Sequence, residues 1–325
     1  MNLFFEKMPG GNFGDDMNQW FWDAVIPGWK AYDENLVMFG IGTIINEGNF
    51  SKHKNILVMG SGIGYGNMPK TKLDRNIEYA WVRGPKTAKL LGLDERIAIT
   101  DPAILTPRFV KSSNVKIRRP IFVPHATTAK LPIKWTELCD SVGIDYVSPK
   151  DDSIAVIEKI RDAEYVIAES MHAAIIADAF RVPWTPVAIS NQFNNFKWDD
   201  WALSLHLNID TYDMLSFPKE IYSKIKGFSL LKNKIISFKK SKRSQNELIV
   251  DQGGGINDRE RSDNESIKKI ISKYEIVFEY LIKKGLQKSK SKIKIISDDS
   301  TFEARVGLID ERVFSINEKY NIGKY

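Results

Sequence analysis

The sequence predicts an α/β protein of two successive parallel-sheet units followed by a basic, mainly helical C-terminal region. Three observations carry this. Short apolar runs alternate with helical stretches through residues 1–215, each run ends in a glycine-rich or polar loop, and the pattern restarts near residue 119. A length of 325 residues suits about two domains. The expected boundaries are 1–115, 116–215 and 216–325.

In the first unit, Met1–Glu6 reads as a strand, Pro9–Asp16 as a glycine-rich loop and Met17–Val25 as a helix. Asn35–Gly40 and Lys54–Met59 are compact apolar strands, the second followed by Gly60-Ser61-Gly62-Ile63-Gly64-Tyr65-Gly66. Tyr79–Val82 is a strand leading into Arg83-Gly84-Pro85, where Pro85 suits the first turn of a helix. Arg96–Thr100 reads as a strand ending at Asp101-Pro102, and Lys111–Arg118 as a linker. In the second unit the strands are Arg119–Pro124, Asp145–Val147, Glu164–Ala168 and Val187–Ile189. The helices between them are Trp135–Val142, Asp152–Arg161 and Met171–Phe180. Beyond residue 215 come a basic segment, Lys219–Arg243, a polar break at Gln252–Gly255 and a long helix over Asn264–Lys284.

Composition narrows the function. With 43% hydrophobic and 11% aromatic residues the chain can bury large cores, which excludes wholesale disorder. No apolar run approaches the ~20 residues of a membrane-spanning helix, and the N-terminus lacks a secretory h-region. The one cysteine, Cys139, excludes an intrachain disulfide and a multi-cysteine zinc site, so a cytoplasmic location and no metal are expected. The net charge of +6 comes from the tail, since the first 215 residues carry an acidic excess. A nucleic-acid partner is not expected from that distribution. Lys219–Arg243 is either a solvated helix face or a peripheral contact with anionic lipid.

Open parallel sheets bind ligands at the carboxyl ends of their strands, where helix N-termini accept anions. The chemically informative residues fall at such junctions: Asn12–Asp16, Gly60–Gly66, Arg83, Asp101, His125 and Glu169–His172. Gly60, Ser61 and Gly62 fit neither a Walker loop nor a dinucleotide fingerprint; they either approach a phosphate or sugar closely or form a tight turn. Arg83 is a bidentate anion clamp or a paired surface arginine. His172 and His125 are anion donors or general acids, or structural imidazoles. Asp15 and Asp16 are general bases for a sugar hydroxyl or helix caps, and Ser170 is a binding residue or an N-cap. Trp184, Phe196, Trp198 and Trp201 form either a carbohydrate platform or interdomain core.

Gly11–Asp16, Gly60-Ser61-Gly62, Val82-Arg83-Gly84-Pro85 and Ser170–Ala174 resemble the landmarks of polysaccharide pyruvyltransferases. Gly64-Tyr65-Gly66, Pro124-His125, Arg181–Trp184 and Phe196-Lys197-Trp198-x-x-Trp201 resemble the succinoglycan-type exopolysaccharide branch in particular. The likeness spans about residues 9–205. It implies two Rossmann-like domains in a GT-B-like arrangement with phosphoenolpyruvate, the donor substrate, in the cleft. It implies transfer of pyruvate as a ketal onto two hydroxyls of a sugar, in a surface polysaccharide or capsule or its lipid-linked precursor, with no cofactor. Arg83 and His172 would contact phosphoenolpyruvate, with His172 the proton donor or phosphate ligand and Asp15 or Asp16 the base. Asn12, Gly60, Ser61, Gly62, His125, Ser170 and Trp198 would bind substrate. Many relatives have Arg-Leu-His where this chain has Ser170-Met171-His172, so Arg181 or a lysine would have to supply the missing cation. The competing readings are a GT-B glycosyltransferase using a nucleotide sugar and a non-catalytic, membrane-attached assembly module. The pyruvyltransferase reading expects Arg83 and His172, from separate halves, to converge on one small dianion.

Overall fold

The computed structural model describes residues 1–70, 75–111, 119–189, 193–214 and 275–320. The first unit is a four-stranded sheet in the order β1-β2-β3-β4, every neighbouring pair parallel. Its strands are β1 (Asn2–Phe4), β2 (Leu36–Phe39), β3 (Asn55–Met59) and β4 (Asn76–Trp81). Its helices are α1 (Phe13–Asp16), α2 (Asn18–Val25), α3 (Glu47–Phe50) and α4 (Pro85–Leu91). Arg96–Thr100 departs from expectation. The Asp94 side chain accepts the Arg96 N–H and nucleates a 3-10 turn over Glu95–Ile97, leaving one parallel bridge between Ala98 and Val82.

The second unit contains β5 (Ile121–Val123), α5 (Trp135–Asp140), β6 (Asp145–Tyr146), α6 (Ser153–Asp162), β7 (Val166–Ala168), α7 (Met171–Ala179), β8 (Trp184–Ala188), α8 (Asn195–Ser204) and β9 (Tyr212–Asp213). The parallel order is β6-β5-β7-β8-β9. The chain leaves β5 toward one side and returns on the other as β7, which opens a crevice beyond their carboxyl ends. His125 follows β5 and His172 follows β7, so the topology brings both imidazoles to that crevice.

Every residue of α7 is buried, which suits its almost wholly apolar sequence. The helix lies between its own sheet and the Pro102–Arg108 3-10 turn of the first unit. One apolar cluster runs through both units, from Phe13, Trp22 and Met38 to Val166, Ile176 and Trp201.

The C-terminal helices are α9 (Glu275–Ser289) and α10 (Asp299–Tyr320). Between them Ile295 exchanges both backbone hydrogen bonds with Trp184, at 3.0 and 2.7 Å, as an antiparallel bridge on β8. The α10 helix returns to the first unit: Arg108 meets Asp310 with two bonds of 2.6 and 2.7 Å, and Lys319 Nζ lies 2.6 Å from Glu78. The described tail is thus packed on both units. Lys219–Arg243, Gln252–Gly255 and the first part of the expected 264–284 helix lie outside the described residues.

Candidate functional site

His172 is the second residue of α7, and its side chain crosses to the first unit. Its ring lies so close to Gly14 that a Cβ there would sit 2.1 Å from Nδ1; only glycine permits this approach. On the far side of the ring, Nε2 is 3.8 Å from Asp101 Oδ2, and both atoms are buried without a hydrogen-bond partner. Asp101 is held by its other oxygen, which accepts the Ala103 N–H at 3.0 Å and opens the 3-10 turn.

Helix α1 begins at Phe13, inside the loop expected to precede the first helix, and so carries both acids in its first turn. Asp16 accepts the Asn12 N–H at 2.9 Å, the part of a cap. Asp15 faces the site and takes a bond from the Asn12 amide. The residue keeps some exposed surface, yet its carboxyl is ringed by protein. Burial pushes its pKa above the ordinary carboxylate value, opposed by the nearby His172 and Lys197 charges and by Asn12.

The backbone N–H of His125 donates to Glu169 Oε2 at 3.1 Å, and Ile189 N–H donates to Oε1 at 3.0 Å. The buried Glu169 therefore ties the ends of three strands together. The Thr127 N–H points at His125 Nδ1 from 3.3 Å, which assigns the ring proton of the neutral form to Nε2. Burial first, then the charges of Lys197 and Lys130, pulls the His125 pKa down to about 3, so the ring is neutral at physiological pH.

Lys197 stands in the first turn of α8, with its Nζ 5.4 Å from the centre of the Tyr65 ring. Its N–H is capped by Asn194 Oδ1 at 3.2 Å, and Asn194 Nδ2 donates to Gly64 O at 2.6 Å, fixing helix and loop to one another. Sequence reasoning missed Lys197 as an individual residue. The available signal was a lysine in a first helical turn, where the dipole disfavours a cation.

Arg83 lies one layer deeper, and none of its surface is open to solvent. Its guanidinium bonds Thr43 Oγ1 at 2.7 Å, Ile63 O at 2.9 Å and Asp200 Oδ2 at 3.3 Å. Asp200 also accepts Thr87 N–H and Oγ1 at 2.8 and 2.6 Å. A Cβ on Gly62 would sit 2.3 Å from Arg83 Cζ, and the Ser61 hydroxyl donates to Gly40 O. Gly60, with φ +88°, turns against Pro102 and Trp81. Arg83 and Gly60–Gly62 thus form a cross-link behind the site, and contact with a dianion would require this network to open.

Of the aromatic stretch, Trp184, Trp198 and Trp201 are interior, while Phe196 is half-buried beneath Lys86. Trp198 is fully buried with Phe193 stacked on it at 4.8 Å, and Trp184 and Trp201 are buried beside it. Its ring is packed against protein and offers no open face to a sugar. Ser170 occupies the N-cap position of α7 without a side-chain cap bond. Arg181 is spent on the tail, bonding Ser297 and Asp299. The residues that converge are Asn12, Asp15, Asp101 and His172, with His125 and Lys197 nearby. Among the described residues no group of three or more His, Cys, Asp or Glu is placed to hold a metal.

An imidazole and a carboxyl whose pKa burial raises, supplied by two parallel α/β units with a buried lysine near them, make an enzyme-type candidate site. The chain belongs to the polysaccharide pyruvyl transferase family, whose profile matches residues 11–191. It is 40% identical over 206 residues to the succinoglycan biosynthesis protein ExoV of Rhizobium meliloti (strain 1021). That match covers 63% of this chain and 65% of the relative, so the chain spans less than two thirds of that protein. No solved structure matches the chain.

Proposed function

We propose that the protein transfers a pyruvyl group from phosphoenolpyruvate to two hydroxyls of one sugar in a bacterial surface polysaccharide, forming a ketal. The acceptor is that polysaccharide or its lipid-linked precursor. The observation that carries this reading is the placement of His172, from the second unit, between Gly14-Asp15 and Asp101 of the first. Acid and base groups brought from both halves to one point suit a reaction in which donor and acceptor are bound together.

The reaction balances as follows. His172 gives a proton to the methylene carbon of phosphoenolpyruvate, and positive charge develops at C2. One sugar hydroxyl bonds to C2 and gives its proton to Asp15; the C2–O bond to phosphate breaks, and the second hydroxyl closes the ring. Of the two hydroxyl protons, one replaces the proton spent on the methyl group and the other leaves as hydrogen phosphate. Asp101, with an unsatisfied oxygen beside Nε2, stabilises the imidazolium before transfer. The raised pKa of Asp15 makes it a stronger base than an ordinary carboxylate. Arg83 is a positioning residue that holds Thr43 and the Ile63 carbonyl. A GT-B-like arrangement is supported by α10 returning to the first unit.

The test is to incubate the protein with phosphoenolpyruvate and an oligosaccharide acceptor while following phosphate release and ketal formation by NMR. H172A is expected to lower kcat at least 100-fold, the scale of lost acid catalysis. Near wild-type turnover of H172A at saturating donor would remove His172 from the chemistry. Uridine diphosphate release from a nucleotide sugar, with phosphoenolpyruvate untouched, would replace the reading by glycosyl transfer. No helix among the described residues is long and apolar enough to cross a membrane. A lipid-linked acceptor predicts peripheral attachment through Lys219–Arg243. Flotation with anionic liposomes at low and high salt checks it, and loss on deleting the segment is expected.

A further inference from the structure

The end of α9 and the segment after it concentrate positive charge with nothing acidic to balance it. Residues 281–297 hold six lysines and no aspartate or glutamate. Two of the lysines are spent on the fold. Lys290 Nζ donates to the Val142 carbonyl at 3.1 Å, and Lys294 Nζ donates to the Lys290 and Lys292 carbonyls at 2.8 and 3.0 Å. Lys284 and Lys288 are placed differently. They stand one turn apart on the outer face of α9, in line with the half-exposed Tyr280. Lys288 and Lys292 then crowd one ring, their Nζ atoms 5.6 and 4.8 Å from the centre of Tyr212. Like charges at this spacing repel, and among the described residues no carboxylate stands in ion-pair contact with any of the three. Beside them Ile293 is 86% exposed. Its carbonyl accepts the Thr185 hydroxyl at 3.2 Å, so an anchored backbone holds this apolar side chain out into water. The patch lies at the amino ends of β8 and β9, where Thr185 and Tyr212 stand, whereas the crevice opens beyond the carboxyl ends of β5 and β7. A partner seated on the patch therefore leaves the crevice open.

We propose that Lys284, Lys288 and Lys292, together with Tyr280 and Ile293, form a docking surface for an anionic lipid bilayer. The ammonium groups meet lipid phosphates, Ile293 enters the boundary between headgroups and acyl chains, and Tyr280 sits at headgroup level. The exposed isoleucine favours a bilayer over a nucleic acid, whose phosphate backbone rewards the lysines alone. This surface is separate from Lys219–Arg243 and requires neither the donor nor the acceptor reading. Two contacts on one chain reinforce each other, so the loss of either weakens attachment.

Partition of the full chain onto sedimented vesicles is measured for phosphatidylcholine alone and for phosphatidylcholine mixed with phosphatidylglycerol. The variants are K284Q/K288Q/K292Q, I293S and the charge-matched control K52Q/K89Q/K134Q, whose lysines are exposed elsewhere on the surface. Melting curves show which variants are folded, and K288Q alone replaces the triple variant if that is not. On the mixed vesicles the expected result is partition at least tenfold weaker for the triple variant and about fivefold weaker for I293S, with the control unchanged. I293C carrying an environment-sensitive dye should shift to the blue on the same vesicles; Cys139 is buried and stays unlabelled. Wild-type partition by the folded triple variant, or a dye that remains in water, overturns the inference. An equal loss in the control reduces the effect to net charge and also overturns it. Lysine-dependent retention of duplex DNA, with no binding of vesicles by wild type, replaces the bilayer by a nucleic acid. Pyruvyl transfer to a soluble acceptor should be unchanged in every variant. Its absence from wild type would overturn the transferase reading and leave the docking surface standing.

Discussion

Gly14 and His172 touch across the two units, so the position of the imidazole depends on a hydrogen at residue 14. In G14A the added methyl would meet Nδ1 at 2.1 Å, and either the ring or α1 must move. Overpacking of this kind costs about 1–3 kcal/mol, and a displaced imidazole should lower kcat/KM at least tenfold. Thermal melts and steady-state kinetics check both numbers. The titrating groups pull in opposite directions. His125, lowered to about 3 in the folded chain, is ordinarily near 6.5 when unfolded. The unfolded state therefore binds more protons between these values. The stability from keeping His125 neutral is complete above about pH 6.5 and is lost progressively as pH falls toward 3. H125Q should flatten that acid limb in a melting-temperature profile. Asp15 has the reverse sign, because its raised pKa means that the folded state resists ionisation. Its charge destabilises the fold increasingly as pH rises through the unfolded value near 3.9. D15N is expected to stabilise the protein at pH 8 by about 1 kcal/mol while abolishing transfer. A destabilised D15N would contradict the buried-carboxylate account.

At the scale of elements, α8 does the joining. Through Asp200 it grips Arg83 and Thr87 of the first unit, and through Trp198 and Trp201 it fills the core beside Trp184 of the second. Removing one partner of the fully buried Arg83–Asp200 pair should be severe. D200A is expected to cost about 3–5 kcal/mol in denaturant unfolding, with much recovered in an R83M/D200L double variant. W198F separates a core role from a carbohydrate platform: the core predicts a lower melting temperature with acceptor KM unchanged. A tenfold rise in acceptor KM without loss of stability would restore the platform.

The whole molecule is closed by its C-terminus. Buried Asp178 on α7 accepts the Ser297 N–H at 2.8 Å and Trp184 Nε1 at 3.1 Å, which anchors the segment before α10. Deleting residues 299–325 should therefore lower the melting temperature by several degrees and expose apolar surface to a hydrophobic dye. The surface contact is a minor part of this. R108A, removing a half-exposed pair with Asp310, should change stability by no more than about 1 kcal/mol. Little of the tail's packing was legible in the sequence, because Arg181 and Asp178 meet Ser297 only across 116 or more residues, and no local pattern announces a contact at that distance.

Local chemistry by itself determined the alternation of strands and helices, the buried helix after Ser170, and the junctions bearing Asp15, His125 and His172. Apolar periodicity and glycine punctuation are properties of neighbouring residues, so one chain suffices to show them. Pairings between distant residues were decided only by tertiary structure. It turned Arg83 inward onto Asp200, drew the tryptophans of α8 into the core, and left Lys197 beside Asp15. Each outcome depends on which charges and surfaces meet after the two units pack, and burial sets the strength of an ion pair or a pKa shift only there.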